Sequence, residues 1–347
     1  MYNAGFNVLG LMSGTSLDGM DAALVAFHPG NSKDSKVLGV QFHPYTPELK
    51  ELAQQTYRQG KKSPAFDQAF AAWTVDCVRS FSQAHAFEIH LIGQHGQTIF
   101  HDPANKFTYQ AGCLPSIAED LGIPVVTNFR MQDVLLGGQG APLVPMGDHL
   151  MFGEYECCLN IGGFANYSFG KPLLSEGIAA AGDICPVNAV LNRQAELLGQ
   201  AYDAGGKLAA SGMVFEDKVK GLVGAIHSTE ESLGYEWMEE HINPILKGLS
   251  PVDALATYTE VAAQVIAERI GPRKTLITGG GAKNKHLMSR ISSLGVDLLV
   301  PSEQIIDYKE AMIFALLAAE RFHGRPNVLG HTTGSGLSHS SGSIFYP

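Results

Sequence analysis

The chain has 347 residues, of which 45% are hydrophobic and 17% charged, and its formal net charge is −10 at pH 7. This length allows two packed cores, since a single core rarely grows past about 250–300 residues, and the hydrophobic content excludes a disordered chain. An acidic chain has no electrostatic footprint for nucleic acid or an anionic membrane, so we expect neither as a partner.

The cysteines and the apolar runs bear on the compartment in which we expect the protein. The five cysteines are scattered and form no Cys-x-x-Cys spacing, so we expect neither a structural zinc nor a disulfide framework. The N-terminus lacks the pattern of a secretory signal, and no apolar run approaches the ~18–20 residues of a membrane span. The prediction is a cytoplasmic protein.

Apolar runs and small-residue turns alternate along the first half of the chain. They predict strands at 6–12, 21–27, 37–42, 89–93 and 124–127, and helices at 47–57, 64–87 and 114–121. A turn is predicted at 13–19, a polar loop at 93–98, and a loop at 137–142 that would lie at the boundary between two lobes.

The second half begins again with strands. Strands are predicted at 156–161, 167–169, 275–278 and 297–300, a turn at 162–166, and helices at 186–198, 252–270, 284–292 and 309–322. Alternation of strands and helices indicates an α/β architecture. Each half opens with strand, turn and strand, so the halves weakly repeat each other.

The turn at 13–19, Ser-Gly-Thr-Ser-Leu-Asp-Gly, has the composition of a phosphate-binding turn. Glycines let the backbone approach a phosphate, and successive amides and hydroxyls donate to its oxygens. Asp18 and Asp21 add carboxylates that could hold Mg²⁺ through water. A simple Gly/Ser hairpin explains the turn equally well.

Two further glycine-rich segments lie in the second half. Residues 160–166, Asn-Ile-Gly-Gly-Phe-Ala-Asn, resemble a second phosphate turn by their position at the start of that half. Residues 278–284, Thr-Gly-Gly-Gly-Ala-Lys-Asn, follow a strand and open a helix, where a flat adenine could lie on the backbone. A flexible loop is the alternative for each.

Two lobes that each begin with a phosphate-binding hairpin are the layout of the actin-like ATPase and sugar kinase (Hsp70-type) fold. We therefore predict a two-lobed α/β fold of this kind, with the ligand in an interdomain cleft. The predicted lobes are residues 1–140 and 141–347, with the last segment packing back toward the first lobe. Two ordinary α/β domains are the alternative.

Other polar residues are candidates for the acceptor side of a reaction. Gln and His in the segment 93–98 could hydrogen-bond sugar hydroxyls. Asp183 could act as a general base, or could be an acid stabilised at a helix N-terminus. Arg130 could pair with a ligand carboxylate, and Glu310 could also bind the ligand, but surface salt bridges explain both residues as well.

Taken together, these motifs resemble the anhydro-N-acetylmuramic acid kinase family along nearly the whole chain. The most specific is Gly-Leu-Met-Ser-Gly-Thr-Ser-Leu-Asp-Gly-Met-Asp at 10–21; others lie at 93–98, 137–142, 160–166, 202–206, 253–260, 278–284, 310–315 and 342–347. The resemblance implies an ATP- and Mg²⁺-dependent cytoplasmic enzyme, usually a homodimer. It would open the anhydro bridge of its sugar with water and phosphorylate O6, giving N-acetylmuramic acid 6-phosphate and ADP.

The resemblance also implies roles for particular residues. Asp183 matches the general base, and Asp18 is the predicted Mg²⁺ contact, through water. The predicted sugar-binding residues are Gln94, His95, Gln97, Arg130 and Glu310. The predicted ATP-binding residues are Gly14, Thr15, Ser16, Leu17, Asp18, Gly19, Met20, Asp21, Gly162, Gly163, Gly279, Gly280, Gly281 and Asn284.

The sequence departs from the family pattern beside the predicted base. The family's Asp-Thr-Gly-Pro-Gly-Asn is Asp-Ile-Cys-Pro-Val-Asn at 183–188, and Asn128 stands where Asp is usual. Side chains at Cys185 and Val187 resist a positive φ that glycine allows. A kinase for another small sugar, or a catalytically weak sugar and nucleotide sensor, are therefore the alternatives.

Overall fold

The computed structural model describes residues 5–14, 17–28, 31–170, 181–229 and 234–347. The chain divides into two compact units, one of Met1–Gly153 with Tyr308–Pro347 and the other of Glu154–Asp307. The first unit thus extends past the predicted boundary at 140, and the end of the chain, from Tyr308 onward, belongs to it. No helix in the described ranges is both long and apolar enough to cross a membrane.

Groups of strands and groups of helices are interspersed along the described part of the chain. The strands are β1 (Phe6–Ser13), β2 (Gly19–His28), β3 (Asn31–Pro44), β4 (Leu91–Asp102), β5 (Phe107–Ala111), β6 (Val125–Thr127), β7 (Cys157–Ile161), β8 (Phe164–Phe169), β9 (Ala181–Pro186), β10 (Lys274–Thr278), β11 (Asp297–Leu299) and β12 (Ser343–Phe345). The helices are α1 (Pro47–Gln59), α2 (Pro64–Ala84), α3 (Ser116–Leu121), α4 (Met131–Leu135), α5 (Val144–Met151), α6 (Asn188–Glu196), α7 (Lys207–Ser211), α8 (Glu216–His227), α9 (Tyr235–His241), α10 (Asn243–Leu246), α11 (Pro251–Ile270), α12 (Lys285–Ser293), α13 (Glu303–Phe322) and α14 (Gly330–Thr333).

The two sheets share one strand order. In the first unit the order is β12-β6-β4-β1-β2-β3, with β5 paired to β4, and in the second it is β11-β10-β7-β8-β9. In each, three consecutive antiparallel strands are followed by parallel strands added beside the first of them. The predicted α/β class and the repeated opening hairpin are therefore confirmed, and the repeat extends to five strands of each sheet, with β5 and β12 as additions in the first.

Each unit has its own apolar core. In the second unit, α11 is buried along most of its length and packs with the inner side chains of β7–β9. In the first unit, α2 covers the side of the sheet formed by Leu9, Leu11 and Ile92. Helix α13 covers the opposite side and approaches the strands closely at two glycines. A Cβ at Gly10 would lie 1.8 Å from Ala311 O, and a Cβ at Gly93 would lie 2.4 Å from Phe314 O.

The close approach of α13 to β1 makes Gly10 a sensitive position. We expect Gly10→Ala to destabilise the first unit by about 3 kcal/mol or more, because the new methyl group meets backbone atoms that cannot move aside. Gly224→Ala is the matched control: this glycine is inside α8 with open space around it, so alanine should be neutral or stabilising by up to about 1 kcal/mol. Thermal unfolding midpoints would measure both, and equal midpoints would contradict the expectation.

Three predicted elements differ from the structure. The segment 93–98, predicted as a loop, is strand, because β5 pairs with its outer half and carries β4 on to Asp102. The predicted turn at 162–166 is limited to Gly162 and Gly163. Asp183 lies within β9, not directly before a helix, and α6 begins at Asn188.

Candidate functional site

The turn between β1 and β2 carries most of the predicted phosphate contacts. Thr15 and Ser16 lie outside the described residues. Gly14 is partly exposed, and Asp18 is exposed, whereas Leu17 and Met20 are buried in the core of the unit. Gly19 and Asp21 are already part of β2, where Asp21 pairs with Met12 and Phe42. Among the described residues of this turn, Gly14 and Asp18 are therefore the ones accessible to a phosphate.

The exposed carboxylate of this turn belongs to Asp18, the predicted contact for Mg²⁺. No group of three or more His, Cys, Asp or Glu side chains in the described ranges could hold a metal ion by itself. Mg²⁺ needs no such group, because it is usually held by one or two carboxylates together with substrate phosphates and water. The exposed Asp18 fits that requirement.

The predicted sugar-binding residues of β4 point to opposite faces of the sheet. Gln94 donates from Nε2 to Thr74 Oγ1 of α2 at 3.3 Å, and Gln97 accepts from Tyr45 OH at 2.5 Å. His95, between them, contacts the ring of Phe314 on α13. Alternation along the strand explains the opposite directions of Gln94 and His95. The register shift that follows, with Gly96 at φ of 79°, returns Gln97 to the side of Gln94. All three are at most 2% exposed.

His95, Arg130 and Glu310 form one cluster on the α13 side. Arg130 donates from Nε to His95 Nε2 at 3.0 Å and from Nη1 to Gly140 O at 3.3 Å. His95 Nδ1 lies 2.8 Å from Gly96 O, so the ring is a neutral tautomer that donates from Nδ1 and accepts at Nε2. Both ring nitrogens are thus engaged, and the imidazole orients the guanidinium.

Burial controls the charges in this cluster. It holds the pKa of His95 well below its usual value, and the neighbouring Arg130 charge lowers it further. It also lowers the pKa of Arg130 to about 10, with Glu310 opposing that effect. The pKa of Glu310 is raised by burial, although Lys309 and Arg130 oppose the rise. Arg130 remains cationic at neutral pH, beside a neutral histidine.

A buried carboxylate fixes the loop that contacts Arg130. Asp133 is fully buried and accepts from Gly140 N at 2.7 Å and from Thr333 Oγ1 at 2.7 Å. A Cβ at Gly138 would lie 2.2 Å from this carboxylate, so the glycine lets the loop fold over it. The predicted loop at 137–142 is therefore part of the support of Arg130.

In the second unit, the two predicted glycine segments lie side by side. Thr278 Oγ1 donates to Asn160 Oδ1 at 3.3 Å, and a Cβ at Gly281 would lie 2.2 Å from Cγ2 of Ile161. Gly279 has φ of 81°, a conformation that favours glycine. The turn after β7 and the loop after β10 therefore form one glycine-lined surface.

The start of α6 is bonded to the same turn. The amides of Val187 and Ala189 donate to Gly163 O at 2.8 and 3.1 Å, and that of Asn188 donates to Gly162 O at 3.3 Å. These bonds use donors that a helix N-terminus would otherwise offer to an anion. The glycine carbonyls thus fix the position of α6 relative to the turn.

Asp183 lies at the end of a polar row across the sheet. Asn160 pairs with Asn166, and Asn166 pairs with Asp183, on the face opposite the α11 core. The Asp183 side chain is exposed, and the described residues provide no hydrogen bond or ion pair to its carboxylate. Protein atoms around it exclude enough water to raise its pKa above the ordinary aspartate value. Asp183 is a carboxylate available to accept a proton.

The departures beside Asp183 do not place a side chain at a positive φ. Cys185 and Val187 are fully buried in the core of the unit, and Val187 has φ of −131°. Tyr258 of α11 donates to Pro186 O at 2.8 Å and fixes this segment. Neither Cys185 nor Val187 is among the described non-glycine residues with positive φ, whereas Asn128 is, with φ of 58°. Asparagine tolerates that conformation better than most residues.

A pocket of about 520 Å³ lies beside the glycine-lined surface. It includes the predicted Gly280 and Asn284, whose Oδ1 caps α12 by accepting from Leu287 N at 3.0 Å. The remaining lining residues had no site role predicted from the sequence, although some lie in motifs described above. They come from α6, from the segment after it and from the loop after β10: Asn188, Leu191, Asn192, Tyr202, Asp203, Ala204, Gly205 and Lys283.

One signal in the sequence could have identified part of this pocket. The segment 202–206, Tyr-Asp-Ala-Gly-Gly, has two consecutive glycines with φ of 70° and 74°. A Cβ at Gly206 would lie 2.2 Å from Asn284 Oδ1, so this glycine lets the segment approach α12. Asp203 accepts from the amides of Leu208 and Ala209 at 2.9 Å and holds the same segment from its other side.

Comparison with known proteins gives consistent matches over nearly the whole chain. A family model described as anhydro-N-acetylmuramic acid kinase matches residues 6–347. The anhydro-N-acetylmuramic acid kinase of Xylella fastidiosa is 34% identical, with 94% of this chain and 93% of that protein covered. The protein of the same name from Aliivibrio fischeri is also 34% identical, with 97% and 98% covered.

Among solved structures, the chain is similar to component A of (R)-2-hydroxyglutaryl-CoA dehydratase from Acidaminococcus fermentans. The TM-score is 0.47 at 15% identity, and the match covers 91% of this chain and 98% of the other.

Proposed function

The chain belongs to the anhydro-N-acetylmuramic acid kinase family, and from this premise we propose that it is an ATP-dependent kinase of peptidoglycan recycling. It hydrolytically opens 1,6-anhydro-N-acetylmuramic acid and phosphorylates O6, giving N-acetylmuramic acid 6-phosphate and ADP. The observation that carries the proposal, beside family membership, is the pocket of about 520 Å³ next to Gly280 and Asn284.

The pocket suits the nucleoside part of ATP. Its volume lies in the range of small-molecule sites, and its lining combines a tyrosine ring with asparagine side chains. Gly280 lines the pocket and leaves room for a flat ring near the backbone, since a Cβ there would meet nothing nearer than Asn188 Nδ2 at 3.8 Å. We assign adenosine to this pocket and a phosphate to the neighbouring turn at Gly162 and Gly163.

Tyr202 tests the adenosine assignment. Its side chain is 62% exposed and lines the pocket, so it can stack on a base. We expect Tyr202→Ala to raise KM for ATP by about 10-fold, since stacking of a base on an aromatic ring contributes about 1–3 kcal/mol. Tyr346→Ala, at a residue equally exposed near the end of the chain, is the control. Steady-state kinetics with ATP varied would measure the change, and equal KM values in both variants would remove Tyr202 from the site.

The turn at 14–18 is proposed to bind ATP phosphates. Its glycine and its backbone amides suit an anion. Asp18 would hold Mg²⁺ through water, and the bound ion would neutralise phosphate charge. Mg²⁺ dependence would appear as loss of ADP formation with a chelator and its recovery with excess Mg²⁺.

The chemical step needs one base and no deprotonation of a separate sugar hydroxyl. A water oxygen bonds to the anomeric carbon as the bond from that carbon to the bridging oxygen breaks. The released oxygen bonds to the γ-phosphorus as the bond to ADP breaks. Asp183 accepts the water proton. Its exposed carboxylate, which no described residue hydrogen-bonds, and its raised pKa support that role.

The sugar carboxylate is proposed to bind Arg130. Two of the five guanidinium N–H groups are used by His95 and Gly140, so three remain for a ligand. Glu310, beside Arg130, is proposed to accept a hydrogen bond from the sugar. A direct contact of Gln94, His95 or Gln97 with the sugar stays a prediction.

We further propose a cytoplasmic homodimer, as is usual in the family. Light scattering during gel filtration would measure the oligomeric state.

One experiment tests the function as a whole. Purified protein with ATP, Mg²⁺ and the anhydro sugar should release ADP, and the sugar product should carry phosphate at O6. ADP release that does not depend on the sugar, or equal turnover of unrelated hexoses, would contradict the proposal.

A further inference from the structure

The turn between β1 and β2 is held at both of its ends by residues of the same unit. At its start, Gln97 Nε2 donates to Gly14 O at 3.1 Å. At its end, the amide of Tyr45 donates to Asp18 O at 3.0 Å. Gly14 and Asp18, both proposed to bind phosphate, are therefore each held through the backbone carbonyl by a residue outside the turn.

One side-chain hydrogen bond joins these two anchors. Tyr45 OH donates to Gln97 Oε1 at 2.5 Å, and Gln97 Nε2 donates to Thr98 O as well as to Gly14 O. Gln97 is fully buried and Tyr45 is 9% exposed. A buried amide cannot exchange these partners for water, so the tyrosine hydroxyl fixes which way the amide points.

Leu17 anchors the middle of the turn. It has φ of 53°, which is uncommon for a leucine, and its side chain is buried with Tyr45 and Phe70 in one apolar cluster. Tyr45 itself packs edge-on against Trp73 at 4.9 Å between ring centroids. A strained backbone persists only where its surroundings hold it, and here the same tyrosine contributes to that support.

We propose that Gln97 and Tyr45 are positioning residues for the nucleotide: by their hydrogen bonds to the carbonyls of Gly14 and Asp18 they hold these two residues in the positions that bind ATP phosphates. The inference rests on the proposed kinase function. It gives Gln97 a different role from the sugar contact predicted from sequence, because both polar atoms of its side chain are already engaged within the first unit.

Tyr45→Phe is the decisive variant. It keeps the buried ring and removes only the hydroxyl that orients Gln97. We expect KM for ATP to rise about 10-fold, with KM for the anhydro sugar unchanged, because a misdirected amide no longer holds Gly14. Tyr109→Phe is the matched control: Tyr109 is also buried in this unit, but its hydroxyl interacts with Ser63 and Asp67, which lie outside the turn between β1 and β2. Its KM values should equal those of the wild type.

A second variant separates orientation from packing. Gln97→Glu keeps an acceptor for Tyr45 but replaces the donor to Gly14 O with an oxygen. We expect it to raise KM for ATP at least as much as Tyr45→Phe does, and combining the two changes should add little, because both act through the same amide. An additive double variant would overturn the proposal.

The readouts distinguish failure of this inference from failure of the kinase assignment. Calorimetry with ADP alone would measure nucleotide affinity without any sugar, and it should weaken in both variants. A rise in KM for the sugar with unchanged ADP affinity would show that Gln97 contacts the sugar and overturn the inference. Wild-type protein that binds ADP but phosphorylates no anhydro sugar would contradict the proposed function, while the ADP affinities would still decide the role of Gln97.

Discussion

Asp183→Asn is expected to lower kcat by about 10²–10⁴-fold, the usual contribution of a positioned general base. Asparagine has nearly the same shape and keeps the pairing of β9 with β8, but it cannot accept a proton from water. KM for ATP should stay close to the wild-type value, because no proposed nucleotide contact is removed. Stopped assays of ADP formation at saturating ATP and sugar would measure the change.

Asp297→Asn is the control for this loss. Asp297 is an exposed acid on β11, a strand of the same sheet, and its replacement removes one charge without touching the polar row. Its kcat should be that of the wild type. Full activity in Asp183→Asn would assign the base to another group.

The pH profile provides an independent check on the same carboxylate. Asp183 acts when deprotonated, so activity should fall as the pH falls through its pKa. Because that pKa is raised, the acidic limb of kcat/KM should lie at higher pH than for an ordinary aspartate at about 3.9. The residual activity of Asp183→Asn should lack this limb.

Local patterns predicted most strands and helices, because the hydrophobic periodicity of each depends on residues that are neighbours in sequence. The strand containing Gln94 was harder to follow, since its outer half is polar and pairs with β5, which lies beyond a turn. A polar stretch that is buried on both faces has the composition of a loop. Only the partner strand reveals it as part of the sheet.

The candidate site was predictable where glycines mark it, and not elsewhere. Gly162 and Gly280 were identified from their runs, and the structure brings their segments together. Tyr202 and Asn192 reach the pocket only because α6 and the segment after it pack beside α12, a tertiary arrangement that no local pattern encodes. The neutral state of His95 likewise follows from its burial, and further from Arg130, which is far from it in sequence.

Replacement of Arg130 should weaken sugar binding more than nucleotide binding. We expect Arg130→Met to raise KM for the anhydro sugar by about 10–10²-fold, since hydrogen bonds to a charged group contribute about 1.5–3 kcal/mol. KM for ATP should not change. Arg130→Lys should recover only part of the loss in sugar affinity. An ammonium group cannot donate two parallel hydrogen bonds to a carboxylate while another of its donors is bonded to His95.

A sugar without the lactyl carboxylate separates this role from a structural one. With 1,6-anhydro-N-acetylglucosamine as the acceptor, Arg130→Met and wild type should have similar kcat/KM, whereas the wild type alone should favour the muramic acid derivative. If Arg130 only supported the fold through Gly140, Arg130→Met would lower kcat/KM equally for both acceptors and would also lower the thermal unfolding midpoint. The difference between the two acceptors thus measures the contact of the guanidinium with the substrate carboxylate, independent of any general loss of activity.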